Sequence, residues 1–406
     1  MNENQNTPEL RFEGFTEPWE QHKLGDLAEI KDSARVPNNL WSTSGVPYIR
    51  ASDVSNDDLQ GVLFLFQEVF DFYRKKTGAP VRGDVLFNGG GEIGKSLFIN
   101  TDQQLYAQGG AVLYARTSES KRLDGVFLSE IFQSRTVKKY IGSTSKGGTM
   151  KHFTLEPAKS MPLLIPNDVS EQHDIGFFLR DLDNLVTLYQ HKYERLQHLK
   201  QALLRKMFPK PGEQVPELRF DGFTEPWKEY RLGDLGEVAM CKRIYKDQTS
   251  DSGDVPFFKI GTFGGKPDAY ISNELFEEYR SKFPFPDAGD VLISAAGTIG
   301  RTVVYNGERA YYQDSNIVWL KHGDEINNLF FLQFLKVKDW KNLEGSTLKR
   351  LYNKDILETP IALPETAEQN AVGSFFRDID SLITLHQRKY ERLQHLKQAL
   401  LRKMFV

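Results

Sequence analysis

Two stretches of this chain repeat apolar residues in alternating steps of four and three, the spacing of a helix that buries one face against another helix. In the first, from about Ser170 to Met207, they are Phe178, Leu182, Leu185, Tyr189, Leu196, Leu199 and Leu203, with Lys192 and Lys206 filling two slots. In the second they are Phe375, Ile379, Leu382, His386, Leu393, Leu396 and Leu400, with Lys389 and Lys403 in the equivalent slots. The first stretch has no proline and a single glycine, Gly176. Asp168 with Glu171, and Thr366 with Gln369, suit capping boxes at the two starts. The pattern predicts two helices of about 37 residues, each about 55 Å long. Two near-identical helices in one chain most simply pair with each other, antiparallel; the alternative is that each stripe pairs with another molecule.

Outside these stretches the pattern is short. Val46–Arg50 and Val255–Lys259 read as matching strands with a proline near the start, which suits an edge position. Arg82–Phe87 and Ala288–Ile293 read as a turn followed by a strand. Leu123–Tyr140 and Leu329–Leu343 carry helical spacing, one helix per copy.

The same text is therefore written twice. Lys192–Phe208 and Lys389–Phe405 are identical at every position, and Pro8–Trp19 returns as Pro216–Trp227 with only Glu13 changed, to Asp221. The copies lie 208 residues apart at Pro8, 206 at Gly83, 198 at Pro162 and 197 in the helices. Two similar frames thus hold two diverged inserts, a pseudo-symmetric arrangement suited to recognising two different things.

At 406 residues more than one core is expected. A single cysteine, Cys241, excludes an internal disulfide and a four-cysteine zinc site. No apolar run approaches the roughly 18–20 residues of a membrane span. The N-terminus shows no basic region followed by an apolar one, so no signal peptide is expected. A formal net charge of −3 means that any nucleic-acid binding rests on local patches or on partners that supply positive charge.

Gly89–Ser96 spells a phosphate-loop pattern, but the context is wrong. Ser96–Asn100 reads as a strand, whereas a phosphate loop opens a helix. The second copy has Ala295 for the first glycine and Arg301 for the lysine. A Gly-rich turn between strands accounts for both. The sequence shows no H-E-x-x-H, no amino-methyltransferase tetrad and no histidine spacing that suits a metal.

Taken together, the Pro-Glu-Leu-Arg-Phe-x-Gly-Phe…Pro-Trp…Leu-Gly-Asp-Leu frame, the divergent inserts, the Pro162–Pro166 and Pro360–Pro364 strands, and the Tyr-x-x-Leu…Met-Phe helix ends resemble the specificity subunit of type I restriction-modification systems. The resemblance covers essentially the whole chain, twice. It implies an α+β fold in which two globular target recognition domains are separated by a pair of long antiparallel coiled-coil helices, with an internal pseudo-twofold repeat. The implied segments are 1–167 and 209–364 for the recognition domains, and 168–208 and 365–406 for the spacer helices. It implies sequence-specific binding of double-stranded DNA at a bipartite site. It also implies docking of two methylation subunits and, through them, of restriction subunits, in the cytoplasm and without a membrane. The chain itself would be non-catalytic and hold no cofactor. S-adenosylmethionine, ATP and magnesium would sit on partner subunits, whose adenine methylation or restriction this chain would direct.

Candidate DNA contacts follow from residue chemistry. Lys146, Thr149 and Lys151, and Thr347, Lys349 and Arg350, lie in basic, hydroxyl-bearing loops ahead of each spacer helix. Arg50 and Lys259 end the matched strands, and Lys95 and Arg301 follow the matched Gly-rich turns. Gln108 and Gln313 sit in matched polar turns, and glutamine suits adenine. The identical helix ends suit two copies of one partner. A coiled-coil adaptor without sequence-specific DNA binding would explain the stripes but not the diverged inserts. A stand-alone enzyme lacks visible catalytic residues.

Overall fold

The computed structural model describes residues 6–147, 151–340 and 350–406. The chain divides into two units, 1–190 with 388–406, and 191–387. The first unit therefore takes its last element from the far end of the chain.

Strands of the first unit are β1 (Glu20–Lys23), β2 (Ile30–Asp32), β3 (Trp41–Ser42), β4 (Val46–Ile49), β5 (Phe64–Leu65), β6 (Val85–Asn88), β7 (Ser96–Phe98), β8 (Tyr106–Ala107), β9 (Val112–Ala115) and β10 (Pro162–Ile165). Its helices are α1 (Leu24–Leu27), α2 (Ala51–Ser55), α3 (Gln67–Thr77), α4 (Gly125–Ile131), α5 (Arg135–Thr144), α6 (Leu155–Lys159) and the first part of α7 (Val169–Met207). One sheet has the order β2-β9-β6-β7 and a second β3-β5-β4-β8, while β1 pairs with β10. β6 and β9 are apolar along nearly their whole length and buried on both faces, as expected of strands covered on both sides.

The second unit repeats this with β11 (Lys228–Arg231), β12 (Gly236–Ala239), β13 (Val255–Phe258), β14 (Tyr270–Ile271), β15 (Val291–Ser294), β16 (Thr302–Val304), β17 (Tyr311–Tyr312), β18 (Ile317–His322) and β19 (Pro360–Leu363). The helices are α8 (Leu232–Leu235), α9 (Asn273–Lys282), α10 (Asn328–Val337), α11 (Asn353–Leu357) and the first part of α12 (Thr366–Met404). The sheets run β12-β18-β15-β16, β14-β13-β17 and β11-β19.

Within each unit the long helices pair antiparallel. In the first, Lys397 bonds Asp183, and Lys389 lies 5.2 Å from the centre of the Tyr189 ring. In the second, Lys200 bonds Asp380 at 2.6 Å. The end of each long helix also enters a core: Leu400, Met404 and Phe405 pack with Trp19 and Phe127, and Leu204, Met207 and Phe208 with Trp227 and Phe330.

The buried seam is shifted from the sequence reading. Ile175, Leu179, Leu182, Lys200, Leu204 and Met207 are buried on α7, and Val372, Phe376, Ile379, Lys397, Leu400 and Met404 on α12. Phe178, Leu185, Leu199, Leu382 and Leu396 are instead exposed. Of the expected stripe, Leu182, Ile379 and Leu400 are buried, while Phe178, Leu199 and Leu396 each lie one residue from a buried position, at Leu179, Lys200 and Lys397. Gly176 and Gly373 lie where the long helices meet α4 and α10. A Cβ there would come within 2.6 Å of the Phe127 nitrogen and 2.8 Å of the Leu329 Cβ, respectively.

Other expectations change for local reasons. Pro47 and Pro256 lie in interior strands, not edges; β8 and β17 begin pairing only at Tyr48 and Phe257, so the missing N–H disrupts no ladder. The 123–140 segment is two helices, because the Ser134 hydroxyl accepts from the Val137 N–H and starts α5. The described part of the 329–343 segment is helical only to Val337. Neither capping box is seen. The Asp168 carboxylate accepts from the Ser170 N–H, but Glu171 turns to Arg11. Gln369 spends its side chain on Asn327, Glu325 and Pro364.

Candidate nucleic-acid interface

The Gly-rich segment Gly89–Lys95 links the antiparallel strands β6 and β7. It is a hairpin loop, not the phosphate loop its spelling suggests. Around it the first unit gathers four backbone segments on one edge. The Phe153 N–H donates to the Gly89 carbonyl (2.8 Å), and Lys146 and His152 bond each other through both backbone groups (3.0 and 2.8 Å). Asn88 reaches across to α2, its amide donating to the Ala51 carbonyl at 2.9 Å. The Gln108 N–H donates to the Ile49 carbonyl at 2.8 Å, placing the polar turn after β8 beside the end of β4.

The second unit builds the same edge with different side chains. The Leu351 N–H donates to the Ala295 carbonyl (2.9 Å), and the Gln313 N–H to the Phe258 carbonyl (2.9 Å). The Gln313 carboxamide oxygen accepts from the Ile260 N–H at 2.8 Å. The Arg350 guanidinium donates to the Ser315 carbonyl at 2.7 Å. That holds Ser315 at φ 51°, a left-handed conformation that side chains seldom adopt.

Of the sequence candidates, Lys146, Lys151, Arg50, Lys95 and Gln108 fall on the first edge, and Arg350, Lys259, Arg301 and Gln313 on the second. Thr149, Thr347 and Lys349 lie outside the described residues. The candidates are not equally available. Arg50 is clamped to Asp53 by two hydrogen bonds (3.0 and 2.8 Å), Lys95 to Asp57 at 3.2 Å and Lys259 to Asp268 at 2.8 Å. Burial and the Asp53 carboxylate act in opposite directions on Arg50; the hydrogen bond wins and raises its pKa. Lys146 and Lys151 are exposed. Arg301 is exposed beside a cleft of about 670 Å³ that also includes Ile299, Lys338 and Trp340.

Sequence reading missed a matched pair of arginines. The Tyr106 hydroxyl donates to the Ala34 carbonyl (3.2 Å) and the Tyr311 hydroxyl to the Lys242 carbonyl (3.0 Å), so Arg35 and Arg243 hold equivalent positions. Both are exposed. Their separation equals that of the opening frames, so carrying that offset forward would have found them. Arg243 Nε donates to Asp314 at 2.8 Å, which raises the guanidinium pKa.

Among the described residues no group of three or more histidine, cysteine or acidic side chains suits a metal ion, and no helix is long and apolar enough to cross a membrane. Burial pushes the Cys241 thiol up to about 12, which leaves it protonated and unreactive.

Comparison with known proteins agrees with this architecture. The family model described as the type I restriction modification DNA specificity domain matches residues 16–198 and 224–395. A type I restriction enzyme specificity subunit of Haemophilus influenzae is 47% identical over 181 residues, covering 42% of this chain and 47% of that relative. The MjaX specificity subunit of Methanocaldococcus jannaschii is 22% identical over 405 residues, covering 95% of this chain and 92% of its own length. The crystal structure of a type I restriction-modification S subunit from M. genitalium aligns with a TM-score of 0.64 at 15% identity, over 98% of this chain and 99% of that one.

Proposed function

We propose that this chain, which belongs to the type I restriction-modification DNA specificity family, binds a split double-stranded DNA site through the two loop edges, one half-site to each unit. One observation carries the reading: two matched edges, built on near-identical frames, present different side chains. Lys146 and Lys151 face solvent on the first, the second has Arg301 where the first has Lys95, and the matched turns share Gln108 and Gln313 but go on to Gly109 in one and Asp314 in the other. Exposed cations at loop edges neutralise phosphates whatever the sequence, and the groups that differ between the edges distinguish bases. Thr149, Thr347 and Lys349 belong to the same proposal by position alone.

The chain supplies recognition and no catalysis. Two methylation subunits dock on the helices and carry S-adenosylmethionine, and restriction subunits join through them, bringing ATP and magnesium. Exposed leucines support a docking role: the first unit presents Leu185, Leu188 and Leu396, and the second Leu382, Leu385 and Leu199. Each unit thus offers the same apolar trio, as two copies of one partner require. The assembly works in the cytoplasm.

The test is methylome sequencing of a methylation-deficient bacterial host carrying this chain with its methylation subunit. A new split motif of modified adenines, absent without this chain, is expected. No motif from a soluble, associated pair refutes the proposal and leaves the helices as an adaptor.

A further inference from the structure

We propose that Arg243 of the second unit reads the edge of a guanine base and that Asp314 fixes it in the reading pose; this deepens the DNA-specificity reading above and rests on it.

The Tyr311 hydroxyl pins the backbone just before Arg243 through the Lys242 carbonyl, at 3.0 Å. The Arg243 side chain then crosses to Asp314, donating from Nε at 2.8 Å. It remains 57% exposed, against 16% for Asp314, so the carboxylate sits beneath and the guanidinium above. With Nε engaged, the two Nη groups are left to donate as a planar fork. That fork matches the N7 and O6 acceptors of guanine in the major groove.

Charge separates this from a phosphate contact. Paired with Asp314, Arg243 has little net charge to attract a phosphate, while its directional donors are preserved. A neutral base edge that offers two acceptors gains from such a group, and an anion gains less. The turn carrying Asp314 is itself held. Gln313 is fixed through Ile260 and Phe258, and Ser315 is clamped by Arg350. A rigid support of this kind suits a residue that must discriminate.

The first unit shows the contrast. Arg35 is exposed at the equivalent position, and Gly109 stands where Asp314 does. A Cβ at Gly109 would lie 1.8 Å from the Ser33 carbonyl oxygen, so that backbone admits no aspartate. Position 109 therefore gives Arg35 no carboxylate of the kind that Asp314 gives Arg243.

The test uses the full chain with its methylation subunit in the methylation-deficient host. The unaltered chain is read first, and a host with no new motif refutes the DNA reading itself. Given a motif, Arg243→Lys keeps the charge and removes the fork. One G·C position in one half-site then loses discrimination, by roughly ten- to a hundred-fold, while the other half-site is unchanged. Asp314→Asn relaxes the same position. An unchanged motif in Arg243→Lys, with methylation either preserved or lowered evenly over all sites, overturns the proposal. A motif with no G·C pair in one of its half-sites also does so if that half-site is the one an exchange of the second insert alters.

Discussion

Arg11 and Glu171, 160 residues apart, meet through two hydrogen bonds of 2.6 and 2.7 Å. The carboxylate is 1% exposed and also accepts from Trp19 Nε1 at 3.3 Å. Arg219, Glu368 and Trp227 repeat the arrangement in the second unit, at 2.7, 2.7 and 3.2 Å. These clamps fasten the opening frame of each unit to the first turn of its long helix. They explain why the Arg and Trp of the frame recur together.

Removing Arg11 leaves a buried carboxylate without its counter-charge. Arg11→Ala is expected to lower unfolding stability by about 3–5 kcal/mol. The double variant with Glu171→Ala should lose less than the sum of the singles, because the stranded charge is gone. Denaturant titration of the three variants checks this, and an additive result argues against the clamp.

Glu130 gives the first unit a pH dependence. It faces Lys397 at 3.4 Å, Gln133 at 2.9 Å, and the charges of Asp183 and Arg180. Burial dominates and raises its pKa to about 7. A carboxyl whose pKa rises on folding contributes stability in full below its unfolded value, and loses it as pH rises through the folded value. Its contribution therefore falls between pH 4.5 and about 7, by an amount on the order of 3 kcal/mol. Relative to the parent, Glu130→Gln should gain stability across that window. Parallel unfolding curves for the two proteins from pH 5 to 8 would contradict the assignment.

Gln333 takes the place of Glu130 in the second unit, with opposite electrostatics around it. Lys200 and Lys336 share Asp380 there, at 2.6 and 3.1 Å, and burial pushes Lys200 down to about 8. Gln333 is fully buried, with neither amide atom hydrogen-bonded. Gln333→Met keeps the volume and removes the unpaired groups, so it should stabilise the protein by about 1–2 kcal/mol. Thermal unfolding reads the change, and a lower midpoint would mean the amide has a partner after all.

Lys151 tests the phosphate part of the interface. Lys151→Ala should weaken binding to cognate and unrelated DNA alike, and reduce the salt slope by about one. Affinity measured at several salt concentrations decides, and unchanged binding removes this loop from the interface.

Much of this architecture was legible because it is written twice. The repeated frames and helices gave the two-unit organisation and the antiparallel pairing. The seam register was not legible, because leucines stand both on the seam and beside it: Leu196 and Leu199 fit one heptad as well as Leu196 and Lys200 fit another. A buried lysine satisfied by Asp380 cannot be guessed from apolar spacing. The site was half legible. Loop cations stood out in the sequence, but only the folded chain shows Arg50, Lys95 and Lys259 already engaged by aspartates, and Arg243 braced by Asp314.

The division of the chain has a consequence for how the protein is made. The second unit is one continuous segment, 191–387, whereas the first needs residues 388–406 to fill its core with Leu400, Met404 and Phe405. On a ribosome, the part synthesised first is thus the last to be completed. Until then the faces of Trp19, Phe127 and Leu179 lack their cover, a long wait for a contact this distant in sequence. The second unit can close while its predecessor is still open, so assembly runs against the order of translation.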